Sequence, residues 1–209
     1  MILIPIFIIS IGFHEAAHAY AVNYFGDDTP RLQGRLTLNP IAHLDMFGSI
    51  MLLMIGFGWG KSVEYNPNAL KNDHLSRATM EQIIAAAGPL ANFVLAFLSV
   101  AGLSAIFFTG SLSFLMEAFL ISASLNLLLM FLNLIPIPPL DGSKVIRPFL
   151  PFSLLQHYDG LAPYGSILLL ALFFLPGIST VFSNGLHSLT NGTLMQMGKI
   201  LGLGALFGA

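Results

Sequence analysis

Cysteine is absent from the 209 residues, and charged side chains make up only 9% of them. Without cysteine there can be no disulfide, no thiol nucleophile and no thiolate metal ligand. An ordinary soluble domain carries roughly 25% charged residues, so this chain lacks the polar surface that water demands. Its formal net charge is only −2, which excludes the basic surface of a nucleic-acid binder. No Lys or Arg precedes the first apolar run, and no small-residue cleavage pattern follows it. That run therefore reads as a retained helix rather than a signal peptide. Internal repeats and low-complexity tails are also missing.

What is present is apolar: 56% of the residues are hydrophobic, and the mean hydropathy is +0.81. Runs at about 2–25, 46–59, 83–108, 114–136 and 161–182 are apolar enough for a bilayer, and a marginal sixth lies at about 193–208; the loops expected at 109–113 and 183–192 are short and carry no Lys or Arg. At about 20 residues per spanning helix, the expectation is an all-α integral membrane protein, a polytopic bundle of about five (four to six) helices. It is expected to form a single membrane-embedded domain over 1–209. Polar segments at 26–45, 60–82 and 137–160 carry Arg31, Arg35, Lys61, Lys71, Arg77, Lys144 and Arg147. The positive-inside bias places all of them in the cytoplasm, which requires 46–59 to enter the membrane and return. That stretch is short for a span and holds Gly48, Gly56 and Gly58, which weaken a continuous helix. A re-entrant segment is the expectation, with a short tilted span as the competing one. Thr79 and Gln82 form a capping-box pattern ahead of the third long helix.

Chemistry concentrates in His14-Glu15-Ala16-Ala17-His18. Residues i and i+4 share a helix face, so both imidazoles can reach one metal ion. Glu15 is offset by about 100° and can take a proton from a water there without being a ligand. Zinc acidifies a bound water to a pKa of roughly 7, and the combination hydrolyses amides. Ionisable groups inside an apolar helix cost several kcal/mol unless paired or metal-bound, which favours a metal site over chance occurrence. A hydrolytic zinc centre takes three protein ligands and keeps one open position. Candidates for the third are His43, Asp45, His74, Asp141, His157 and Asp159. Asp141 is the best placed, because Pro136, Pro138 and Pro139 deny the chain a helical continuation and leave an extended segment that can point the carboxylate back. His43 is the first alternative. Asn92, Asn126 and Asn133 are amides in apolar helices. Asn126 reads as an interhelical hydrogen bonder at least as well as a catalytic group, and Asn133 is placed to steady a substrate strand or a developing oxyanion. Glu117 reads as a helix-start acid near the interface.

HEAAH in the first helix, GPLAN (88–92) in the next long one and NLIPIPPLDG (133–142) after it resemble, in order and spacing, the site-2 protease family of intramembrane zinc metalloproteases. The resemblance covers about residues 10–147. It implies one zinc ion per chain on His14, His18 and Asp141, with Glu15 as the base. Asn133 would serve the substrate backbone or oxyanion, and Asn92 is a further candidate for substrate binding. It also implies a transmembrane protein as substrate, cut within the bilayer, in a prokaryotic cell membrane with the site toward the cytoplasm. RLQGRLTL (31–38), which alternates polar and apolar residues, is the expected edge for pairing with an unwound substrate. No segment is long enough for the PDZ or CBS domains of many members, so a minimal form is expected. Two other functions compete: a catalytically silent scaffold that holds membrane proteins, and a metal or proton transporter. The first has no use for a buried carboxylate beside two histidines. The second wants further ionisable groups along the other helices, where only Glu117 and Lys199 occur.

Overall fold

The computed structural model describes residues 2–55, 58–107 and 113–207. They form two compact units, residues 1–91 and 92–209. Gly56 and most of the expected 109–113 loop lie outside the described residues.

The first unit opens with α1 (Leu3–Tyr24), 22 residues long. A single helical turn, α2 (Thr29–Leu32), follows, and then a 3-10 turn over Pro40–His43. The latter packs on α1 at Gly12, where a Cβ would meet Pro40 Cβ at 2.7 Å. Next comes α3 (Met46–Ile55), only 10 residues long. Leu44 and Gly60 form an antiparallel bridge, and Lys61 N–H donates to His43 O at 2.8 Å. Gly48 lies so close to the Trp59 carbonyl that it has no room for a Cβ. The two ends of the 44–60 segment are therefore tied together. Ends held together are what the expected re-entrant segment requires.

The unit closes with the first half of α4 (Arg77–Phe107), whose start differs from the capping-box reading. Ser76 Oγ accepts the Thr79 N–H at 3.2 Å, so Ser76 caps the helix and Thr79 already lies inside it. Val22, Phe25, Leu70, Met80 and Ile84 form the apolar core of this unit.

No strand occurs among the described residues, so the expected edge over 31–38 is not one. Pro30 sits in the first turn of α2, and Asp27 accepts both the N–H and the Oγ1–H of Thr29 at 2.9 and 2.6 Å. Gly34, at φ +69°, then ends the turn. Local capping outweighs the polar–apolar alternation. Asp27 also accepts the Asn66 N–H at 2.6 Å, tying two loops to one carboxylate. Burial pushes the Asp27 carboxyl up, but the bonds from Thr29 and Asn66 hold it below its ordinary 3.8. A depressed folded pKa gives stability that is complete above 3.8 and fades as pH falls below it. Asp27→Asn is expected to cost about 1–3 kcal/mol near neutral pH, since its amide meets the Asn66 N–H with another donor. The gap in unfolding midpoint between parent and variant should close as pH is lowered through 3.8; a gap that does not change with pH would contradict this.

In the second unit the remainder of α4 packs with α5 (Ser113–Asn133). Ala96, Val100 and Leu103 meet Ala123 and Leu127, together with Leu194, Met197 and Leu203. Polar pairs lie within this packing. Asn92 Nδ2 donates to Asn126 Oδ1 at 2.8 Å, and the hydroxyls of Ser99 and Ser122 bond at 2.8 Å. After α5 come α6 (Asp141–Ile146), α7 (Phe152–Asp159), α8 (Gly165–Phe174) and α9 (Ile178–Ile200).

The C-terminal part corrects the sequence reading. The run 161–182 is not one helix, and 193–208 is not a separate one. Leu175 is extended ahead of Pro176, and Gly177 sits at φ +86°, a turn only glycine adopts freely. The helical stretches Phe152–Phe174 and Ile178–Ile200 meet there at 84°. α9 then runs straight through the expected 183–192 loop, because Leu186, Thr190, Leu194 and Met197 recur on one buried face. Helix is the only regular structure among the described residues apart from the single bridge. Three helices (α1, α4 and α5) are long and apolar enough to span a membrane, or four if the bent pair counts as one span. Among the described residues the count thus reaches the lower end of the expected four to six.

Candidate metal centre

The interior of α1 carries the chemistry. His14 and His18 are 4% and 7% exposed, and their Nε2 atoms face each other at 3.1 Å. The rings stand nearly perpendicular, at 81°. His18 Nδ1 lies 2.7 Å from Ile84 O on α4. A carbonyl can only accept, so Nδ1 carries a proton and Nε2 is the ring nitrogen turned toward His14. This second hydrogen bond is the usual device for fixing a ligating imidazole.

One helical turn beyond Ile84, Gly88 faces the same two rings. A Cβ there would meet His14 Cε1 and Nε2 at 2.6 Å and would also strike His18 Nε2. The two Nε2 atoms can come together here because residue 88 has no side chain. Tetrahedral zinc at about 2.0–2.1 Å from each nitrogen sets two nitrogens about 3.3 Å apart, close to the spacing found. The donors and the cradle fit a zinc ion.

Glu15 is 8% exposed, and its Oε2 accepts the Val63 N–H at 3.2 Å. Val63 belongs to the extended chain that follows the Leu44–Gly60 bridge. Gly60 lies against Glu15, where a Cβ would stand 3.3 Å from Cγ. Arg35, itself buried, donates to Lys61 O at 3.0 Å and holds the same segment. The carboxylate thus has one oxygen fixed by backbone and stands beside the histidine pair without joining its face.

The remaining candidates separate. His43 is fully buried, with its Nε2 at 2.9 Å from Thr37 O. Among the described residues no trio of ligand-capable side chains joins it to His14 and His18. Asp45 Oδ1 accepts the Gly48 N–H at the start of α3. His74 and His157 are exposed, and Asp159 is paired with Arg147.

In the second unit, Asp141 is the first residue of α6. The segment before it is a chain of tight turns, not the extended run expected. Ile137 N–H donates to Ile135 O at 2.8 Å and Leu140 N–H to Ile137 O at 2.9 Å. Gly142 is pressed against Leu134 O with no room for a side chain. Asn133 ends α5, its Nδ2 donating to Leu129 O at 3.0 Å. Asn92 is fully buried with its amide committed to Asn126.

Sequence reasoning missed the backbone members, Ile84 O and Val63 N–H, because a main-chain group has no signature in the sequence. Gly88 lies within GPLAN, but nothing in that motif marks it as the residue that leaves room for two imidazoles.

No protein-family model matches the chain, and no solved structure does. Curated relatives do. The chain is 39% identical over 184 residues to "Putative zinc metalloprotease YwhC" of Bacillus subtilis, covering 83% of this chain and 80% of that one. It is 27% identical over 187 residues to "Putative zinc metalloprotease Rip2" of Mycolicibacterium smegmatis, covering 87% and 70%. A Mycobacterium tuberculosis protein of the latter name is 27% identical over 175 residues, covering 84% and 67%.

Proposed function

Since the chain belongs to the site-2 protease family of zinc metalloproteases, we propose that it hydrolyses peptide bonds inside the bilayer, within transmembrane segments of other proteins. The observation that carries this reading is the facing Nε2 pair of His14 and His18, one of them fixed by Ile84 O, halfway along an apolar helix. At 1.5 Å per residue α1 is about 33 Å long, and His14 lies about half that distance from its start. A site there meets a peptide bond at membrane depth, not at the surface.

His14 and His18 hold the metal, and Asp141 completes the set, so that the donors are two imidazole nitrogens and one carboxylate oxygen. Zinc, when bound, acidifies water and polarises a carbonyl. Glu15 takes the proton of the attacking water and returns it to the departing amine. Val63 N–H keeps one Glu15 oxygen engaged, which orients the other. Asn133 is assigned to the substrate's main chain or the developing oxyanion, and Asn92, the other substrate candidate, would first have to release the amide it gives to Asn126. The site opens toward the cytoplasm, a placement supported by the basic residues of the polar segments and by the tied ends of 44–60.

The test is reconstitution in lipid vesicles with a single-span model substrate. Cleavage products ending inside the span, lost with a chelator and restored by zinc, are the expected result. Cuts confined to residues outside the span, or cleavage that survives metal removal, would overturn the reading.

A further inference from the structure

The segment that presents Asp141 has almost no framework of its own. Three prolines, at 136, 138 and 139, remove three N–H donors within a few residues, and the turns that remain engage the carbonyls of Ile135, Ile137 and Leu140. The last turn of α7 supplies what is missing. Tyr158 Oη donates to Pro136 O at 3.0 Å and lies 3.3 Å from Ser143 O. One phenol therefore bridges the chain ahead of Asp141 and the first turn of α6 behind it. The next residue, Asp159, takes both ends of the Arg147 guanidinium at 2.8 and 3.0 Å. This ion pair is about half exposed, at 45% and 46%, and such pairs contribute little. Gly165, which starts α8, is packed onto Pro138 O without space for a Cβ.

We infer that Tyr158 is a positioning residue for Asp141, its hydroxyl clasping the two flanks of the turn so that the carboxylate is held ready for metal. The inference rests on Asp141 being the third ligand. Tyr158 lies beyond residues 10–147, where the motifs occur, and acts only through the main chain of the turn. Residues that orient a ligand typically change metal affinity by about 10–100-fold when lost, and that is the effect expected here.

The experiment measures zinc affinity of the purified full-length chain in detergent by chelator competition, for the parent, Tyr158→Phe, Asp141→Asn, the double variant and Asp159→Asn. Tyr158→Phe should bind zinc about 10–100-fold more weakly, with the unfolding midpoint of the metal-free protein close to the parent's. Asp159→Asn should stay within about threefold of the parent. In the Asp141→Asn background, Tyr158→Phe should add almost nothing, because the group it positions is gone. If Asp141→Asn weakens zinc and Tyr158→Phe does not, the clasp is wrong and the ligand assignment stands. Multiplying losses in the double variant would make Tyr158 a general fold residue and also overturn the inference. If Asp141→Asn itself binds zinc like the parent, the ligand assignment falls, and the clasp falls with it.

Discussion

Glu15→Gln should slow peptide cleavage by about 10²–10⁴-fold, the usual contribution of a positioned general base, while zinc content and unfolding midpoint stay at parental values. In free energy this is roughly 3–5 kcal/mol of lost transition-state stabilisation. Glutamine is the informative replacement because it matches glutamate in shape and keeps a carbonyl oxygen. That oxygen can still accept the Val63 N–H now bound to Oε2 at 3.2 Å. The 60–63 chain therefore has no reason to move, and the packing of Gly60 on Cγ is retained. What disappears is the lone pair basic enough to take a proton from water. Single-turnover cleavage, read beside metal analysis on the same preparations, separates the outcomes. Equal rates for parent and variant would remove Glu15 from the chemistry. A slow variant that had also lost its zinc would make it a structural neighbour of the histidines instead of the base.

Much of this centre is legible in five consecutive residues. The i, i+4 spacing of His14 and His18 puts both rings on one face whatever else the chain does, and the structure brings their Nε2 atoms to 3.1 Å. The three candidate spans are legible for a similar reason: a run of more than twenty apolar residues leaves a helix as the only economical backbone in lipid. The errors fall where two local rules compete. Both Ser76 and Thr79 can cap α4, and the earlier one wins, with Thr79 supplying the N–H that Ser76 accepts. The alternation in 31–38 loses to Asp27, Pro30 and Gly34, which close a helical turn before any strand can start. Residues 183–192 read as loop from their Ser, Asn and Gly content. They are helical because Leu186 and Thr190 continue a buried stripe that reaches Leu194 and Met197. That stripe is interrupted by polar residues too often to show as an apolar run. Contacts made by main-chain atoms, such as Ile84 O and Val63 N–H, are set by tertiary packing and have no residue type to betray them.

Gly88→Ala should bring the second large effect, and it should fall mainly on the metal rather than on the fold. In a helix interior alanine is favoured over glycine by about 1 kcal/mol, so α4 on its own would gain. The added methyl, however, arrives 2.6 Å from both Cε1 and Nε2 of His14 and collides with His18 Nε2. Ordinary contact begins at 3.4 Å, so the rings must retreat by nearly an ångström. His18 cannot simply rotate away, because its Nδ1 is held at 2.7 Å by Ile84 O, one turn earlier on the same helix. Metal–ligand distances tolerate only about 0.2 Å of error, and a displacement of about 1 Å at a reacting centre costs about 10²-fold. Zinc affinity and cleavage should each fall by at least about that factor, while the metal-free protein, in which an overpacking cost of about 1–3 kcal/mol opposes the helix gain, should unfold at the parent's midpoint or below it. Chelator competition and thermal unfolding on one preparation check both halves. Parental zinc affinity in Gly88→Ala would mean that the methyl is absorbed elsewhere, and that the space in front of the two Nε2 atoms is not where the metal sits.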